Sequence, residues 1–128
     1  MAQHKIPQHK ILVVDDDEAV IDFMRAKLGA RFALVSTTDS EKVLGLARAA
    51  RPDLILCDID MPGMDGGDIS AAMYLEDDLR HIPMLFLTAL ISLEDLEAQQ
   101  GQLGGRAAIS KDAPIDQLIA RIESLIAR

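Results

Sequence analysis

Four short stretches of this chain are apolar without alternation: Ile11-Leu12-Val13-Val14, Phe32-Ala33-Leu34-Val35, Leu54-Ile55-Leu56-Cys57 and Met84-Leu85-Phe86-Leu87. A strand with one solvated face alternates apolar and polar residues. Continuous apolar runs of this length therefore belong to strands covered on both faces, as in a parallel sheet. A fifth run, Ala107-Ala108-Ile109, is smaller and alanine-rich and reads as an edge strand.

Helix-period segments separate these runs. Val20, Phe23, Met24 and Leu28 recur at three- and four-residue steps and so share one helical face. Val43, Leu46, Ala47 and Ala50 form a second such set, and Ile69, Ala72, Met73 and Leu79 a third. The fourth is the weakest, marked only by Leu93, Leu96 and Leu103 and loosened by Gly101, Gly104 and Gly105. The last is the clearest, with Ile115, Leu118, Ile119, Ile122, Leu125 and Ile126. Start signals agree: Thr38-Asp39-Ser40-Glu41 and Ser92 with Asp95 read as capping boxes, and Pro114 suits a first helical turn. Strand then helix, repeated through one chain, implies βαβ units with right-handed crossovers. The expected fold is a single α/β domain over residues 10–128, preceded by a flexible tail of residues 1–9. It would be a doubly wound, flavodoxin-like (βα)5 unit with a five-stranded parallel sheet in the order 2-1-3-4-5.

Composition narrows the function. The 128 residues carry a formal charge of −8, which repels phosphate backbones and argues against direct nucleic-acid binding. Such a field favours a bound cation or a basic partner. Cys57 is the single cysteine, so no internal disulfide or thiolate metal site is available, which fits a cytoplasmic setting. It reads as an inert packed thiol, because neighbouring acids discourage the thiolate. No apolar run approaches the ~20 residues that span a bilayer. His4, His9 and His81 lack any ligand spacing and read as solvated surface residues.

In open parallel sheets, ligands bind beyond the carboxyl ends of the strands, at the point where strand order reverses. Asp15, Asp16 and Asp17 follow the first strand, Asp58 and Asp60 the third, Thr88 the fourth, and Ser110 and Lys111 the fifth. In the order 2-1-3-4-5 the first and third strands are neighbours, so Asp15, Asp16 and Asp58 converge. Three like charges in a poorly solvated cleft need protons or a hard cation to offset them, and carboxylate oxygens suit Mg²⁺. Thr88 and Lys111 face the same cleft, where a hydroxyl, an ammonium and the metal would stabilise a phosphoryl group in transfer. Asp58, after the most buried strand and before the Met61-Pro62-Gly63 turn, is best placed as nucleophile for an aspartyl-phosphate. Asp17 and Asp65 read as helix caps.

These residues resemble the receiver domains of two-component response regulators. The resemblance rests on Ile11-Leu12-Val13-Val14-Asp15-Asp16, on the run from Pro52 through Asp58-Ile59-Asp60-Met61-Pro62-Gly63-Met64-Asp65-Gly66, on Leu87-Thr88-Ala89, and on Lys111. It implies that Asp58 is phosphorylated, that Asp16 ligates Mg²⁺ directly and Asp15 mainly through water, and that Asp60 contributes its backbone carbonyl. It implies that Thr88 contacts the phosphoryl group and that Lys111 pairs with a phosphoryl oxygen or, without one, with carboxylates. The implied partners are a histidine kinase or histidine phosphotransfer protein upstream and an unnamed output protein downstream. The domain itself would assist its own phosphorylation rather than act as an enzyme on other substrates.

Two positions depart from the pattern. Ala108 stands where receivers usually carry an aromatic switch residue, so coupling through a buried ring is not expected in its usual form. Asp112 stands where a proline in a cis bond usually follows the lysine. A cis bond before a non-proline residue costs ~3–4 kcal/mol, so a trans Lys111–Asp112 bond and a repositioned loop are expected. Asp60 adds charge near the phosphorylation site and bears on the lifetime of the acyl phosphate. Two other readings compete. Asp58-Ile59-Asp60 superficially matches the nucleophile motif of Mg²⁺-dependent phosphohydrolases, but Pro62 and the lack of room for a cap domain count against it. A module that keeps the fold without being phosphorylated is the other. With no output domain and a last helix that runs to Arg128, the sequence favours a stand-alone protein.

Overall fold

A computed structural model of the chain describes residues 8–59, 61–103 and 106–127. The expected ligand Asp60, the tail residue His4 and the pair Gly104 and Gly105 lie outside the described residues. In chain order the elements are β1 (Lys10–Val14), α1 (Glu18–Leu28), β2 (Ala33–Thr37), a 3₁₀ turn (Ser40–Lys42), α2 (Val43–Ala50), β3 (Leu54–Asp58) and α3 (Gly66–Tyr74). They continue with β4 (Met84–Thr88), α4 (Leu93–Ala98), β5 (Gln102–Leu103), β6 (Arg106–Ser110) and α5 (Ile115–Ile126). The sheet order is β2-β1-β3-β4-β6-β5, with every pairing parallel except β5 with β6.

The expected five-stranded order is thus present, with β6 as its fifth member, and one short antiparallel strand is added outside it. The addition follows from how α4 ends. Gln100 and Gly101 adopt φ of 60° and 68°, reversing the chain so that Gln102 and Leu103 run back along β6. Leu103, expected on the α4 face, therefore lies on β5, and β6 is not an edge. Leu96 is the buried residue of α4; the burial of Leu93 is outside what is described.

The unbroken apolar runs have the expected cause. Along β1, β3 and β4 successive side chains enter two separate cores. Ile11, Val13, Leu54, Leu56, Leu85 and Leu87 pack with α1 and α5. Leu12, Val14, Ile55, Cys57 and Phe86 pack with α2, α3 and α4. All five residues of β3 are buried, and each fully buried Leu or Ile is worth about 1.5–3 kcal/mol. β2, at the other edge, is only half-buried, which is why its last residues, Ser36 and Thr37, are polar.

Some packing assignments change. Phe32 precedes β2 rather than belonging to it and is buried beneath the turn after α1. On α1 the inward residues are Ile21, Met24 and Leu28, whereas Phe23 is 47% exposed with the Lys27 ammonium over its ring. Leu79 is buried, but in the turns beyond α3. The cap of the 3₁₀ turn is Asp39, whose side chain accepts from the Glu41 N–H, not Thr38. Ser92 caps α4 by accepting from the Asp95 N–H, and Pro114 sits at the N-cap of α5.

Gly66 links this packing to the residues after β3. A Cβ there would lie 2.9 Å from the Phe86 ring and 3.0 Å from the Asp58 carbonyl oxygen. Gly66→Ala should destabilise the domain by about 1–3 kcal/mol, the cost of overpacking a well-filled site; urea denaturation measures it.

Candidate functional site

The parallel order places the carboxyl ends of β1, β3, β4 and β6 along one rim of the sheet. Asp15 directly follows β1 and is fully buried. Its backbone N–H donates to the Thr37 carbonyl, one of its carboxylate oxygens accepts from the Asp17 N–H at 2.9 Å, and the other accepts from Lys111 Nζ at 3.0 Å. Asp16, next in the chain, is exposed. Asp17 turns away from the rim and caps α1, accepting from the Ala19 N–H.

Asp58 ends β3 and is 5% exposed. Register pairs it with Leu87, one residue before Thr88. The chain beyond it is held by the Ile59 N–H to the Leu87 carbonyl and the Gly66 N–H to the Ile59 carbonyl, both at 3.1 Å. Asp65 and Asp68 close a reciprocal capping box on α3. Carboxylate oxygens of Asp15, Asp16 and Asp58 lie within 4.8 Å of one another.

Lys111 enters from the end of β6. Its ammonium lies 3.0 Å from Asp15 and 3.5 Å from Asp58. Burial acts to lower its pKa, but the hydrogen bond and charge of Asp15, then Asp58, outweigh it, and the net shift is upward. The Lys111 N–H donates to the Thr88 carbonyl at 2.8 Å, tying β6 to the end of β4. Thr88 is buried, and its hydroxyl oxygen accepts from the Leu90 N–H at 3.1 Å, leaving the hydroxyl hydrogen for another acceptor. Cys57, facing the opposite core, has its thiol pushed up to about 12 by burial first and then by the charges of Asp58 and Asp15. It is inert as a nucleophile at neutral pH.

The arithmetic of charge tests whether a cation fits. At 4.8 Å, two carboxylates repel by about 3.5 kcal/mol at an effective dielectric near 20. Three such pairs approach the whole net stability of a domain, about 5–15 kcal/mol. Lys111 offsets one of the three negative charges. The remaining formal charge of minus two and an all-oxygen donor set fit a hard divalent cation.

Two residues that the sequence reading named without a role turn out to position the rim. Ser110 is buried, and its hydroxyl oxygen accepts from the Asp112 N–H at 3.1 Å. With the Ala113 N–H on the Ser110 carbonyl, it shapes the loop after Lys111. No cis peptide occurs among the described residues, so the Lys111–Asp112 bond is trans as expected. Gly66 is the other; its signal was a glycine following Asp65 at a helix start. Ala108 is buried opposite Phe86 in the β4–β6 register and shares a core with Leu96 of α4.

The chain is similar to known proteins. The family model described as the response regulator receiver domain matches residues 11–123. The chain is 40% identical over 119 residues to "Response regulator PleD" of Caulobacter vibrioides, covering 91% of this chain but only 26% of that protein. It is 33% identical to "Polar-differentiation response regulator DivK" of Brucella anthropi, covering 91% of this chain and 94% of the relative. Among solved structures, the chemotaxis protein CheY4 of Vibrio cholerae superposes with a TM-score of 0.76 at 26% identity, over 92% of this chain and 98% of that one. No helix among the described residues is long and apolar enough to cross a membrane. With the family model running from β1 into α5 and DivK matched along nearly its whole length, the chain belongs to the response regulator receiver domains of two-component systems.

Proposed function

We propose that this receiver accepts a phosphoryl group on Asp58 from a phosphohistidine of a histidine kinase or phosphotransfer protein, in a Mg²⁺-dependent reaction in the cytoplasm. The observation that carries the reading is the charge arrangement: three carboxylates from the ends of β1 and β3, one ammonium from β6, and a remainder matched to a divalent ion. Asp15, Asp16 and Asp58, with the backbone carbonyl of Asp60, are the proposed metal ligands. Asp15 already accepts from Lys111 and from the Asp17 N–H, so it suits a contact through water, while exposed Asp16 suits a direct one. Bound Mg²⁺ would neutralise charge on the phosphoryl oxygens.

The chain's own groups do the rest. A carboxylate oxygen of Asp58 attacks phosphorus in line, the P–N bond to the donor histidine breaks, and its electron pair leaves with the imidazole. Lys111 exchanges a carboxylate partner for a phosphoryl oxygen, and the Thr88 hydroxyl donates to another. Because both the Lys111 N–H and its ammonium report on this rim, a change there reaches β4 and β6 together. The output proposed is a shift in a two-state equilibrium from Thr88 through α4 to β6, read by a partner protein. With Ala108 in place of a ring, that shift runs through backbone and helix packing.

Incubation with acetyl phosphate and Mg²⁺ should add one phosphoryl group to the parent chain and none to Asp58→Asn, read by intact mass. Equal labelling of the variant rejects the site; no labelling of either favours the unphosphorylated module.

Removing the ammonium leaves the acidic cluster more negative, so Lys111→Met should bind Mg²⁺ several-fold more tightly, measured by calorimetry. The same residue sets a pH dependence. A lysine whose folded pKa is raised contributes stability that is fully present below its unfolded value, about 10.4, and lost as pH rises through the higher folded value. Denaturant midpoints of the parent should therefore fall towards those of Lys111→Met as pH climbs past about 10.4.

A further inference from the structure

We propose that a second cleft, at the opposite end of the sheet, binds a small organic carboxylate with an apolar body. It lies where β3 and β4 begin, beside Pro52, Asp53 and Pro83, and has a volume of about 440 Å³. That falls within the size range of small-molecule sites. Its floor is apolar: Ala47, Leu79 and Ile82 line it and are buried. A shallower cleft of about 300 Å³ adjoins it, sharing Asp53, His81 and Pro83 and adding Leu125 and Ile126.

The charges around this cleft are unevenly committed. Asp53 accepts from the Lys10 N–H at 2.8 Å and lies 3.5 Å from His9 Nδ1. Asp78 is held by Arg48 at 3.1 Å, and Arg48 also pairs with Glu76. Both carboxylates thus have donors, and Arg48 is engaged twice. Arg51 and His81 line the same space, and neither side chain has a hydrogen-bonding or ionic partner among the described residues. Even the end of α2 above them is satisfied, because Lys10 Nζ donates to the Ala50 carbonyl at 2.9 Å.

An uncommitted guanidinium, an uncommitted imidazole and an apolar floor define a site for one anionic group on a hydrophobic body. The anion's charge follows from the walls. Arg51 is the one guanidinium lining the cleft without a carboxylate partner among the described residues, so it can pair with one negative charge, while Asp53 and Asp78 on the same walls disfavour a second. A phosphate dianion would face Asp53 and Asp78 with a charge to spare. The planar fork of Arg51 also matches a carboxylate in two parallel hydrogen bonds. Proline at both strand entrances keeps the walls stiff, so little ordering is required on binding. This site is separate from the acidic rim, which lies at the other ends of the same two strands, and it does not depend on phosphorylation of Asp58.

The probe is naphthoate, titrated into isotope-labelled full chain and followed by amide chemical shifts, with naphthylmethanol as the uncharged counterpart. Saturable shifts are expected at Arg51, Asp53 and His81, with naphthylmethanol binding at least about tenfold more weakly. Arg51→Gly should weaken naphthoate about tenfold, the loss of one charge-assisted contact, and His81→Gln should weaken it less. Arg51 occupies the left-handed region at φ 51°, ψ 62° after α2. Glycine adopts that conformation without strain, so the variant keeps the fold. The proposal is overturned if naphthoate does not bind, if the shifts map elsewhere, if naphthylmethanol binds equally well, or if Arg51→Gly leaves the affinity unchanged.

Discussion

Lys111 pairs with two carboxylates, Asp15 at 3.0 Å and Asp58 at 3.5 Å, in a rim that also gathers Asp16. Without that ammonium, three acids in so small a volume would repel by an amount comparable to the stability of the domain. With it, the rim is tolerable but still short of positive charge. That unfinished balance suits the rim to the divalent ion and phosphoryl group proposed for it, rather than to a set of buried ion pairs closed on themselves.

The sheet exists, in functional terms, to hold these groups at fixed separations. Parallel order brings four strand ends to one side, and the two cores on either face lock their registers by alternate side chains. Position along each strand then decides which residue reaches the rim. Asp58 is set by five consecutive buried residues, Lys111 by the hydrogen bond of its N–H to Thr88 and by the Ser110 turn that follows. Ala108 and Asp112 stand at the two positions where the sequence departs from the pattern it resembles. The lysine nevertheless reaches its carboxylates, so neither replacement prevents the assembly of the rim.

Much of this was legible in the sequence, for physical reasons. Burial on both faces erases alternation, so β1, β3 and β4 declared themselves, and the topological rule for parallel sheets then located the acids, Thr88 and Lys111. What stayed hidden depended on tertiary context. Phe23 has the spacing of a core residue, but Lys27 covers it at the surface. Leu79 and Phe32, read from a helix period and a strand run, are indeed buried, but they are supplied by the turns beside those elements. β5 arises from two consecutive residues at positive φ, and only one of them, Gly101, advertises it. Ser110 carried no signal beyond its place at a strand end, because its part is to satisfy one backbone N–H. Asp60 lies outside the described residues, and its carbonyl enters only as part of the proposed metal site.

The central claim is that Asp58, and no other acid of the rim, forms the acyl phosphate. Borohydride reduction of the phosphorylated chain converts an aspartyl-phosphate to homoserine, which tandem mass spectrometry locates by residue. The account predicts homoserine at position 58 alone, appearing only when Mg²⁺ is present during phosphorylation. Homoserine at position 15, 16 or 60, or at position 58 irrespective of Mg²⁺, would contradict it.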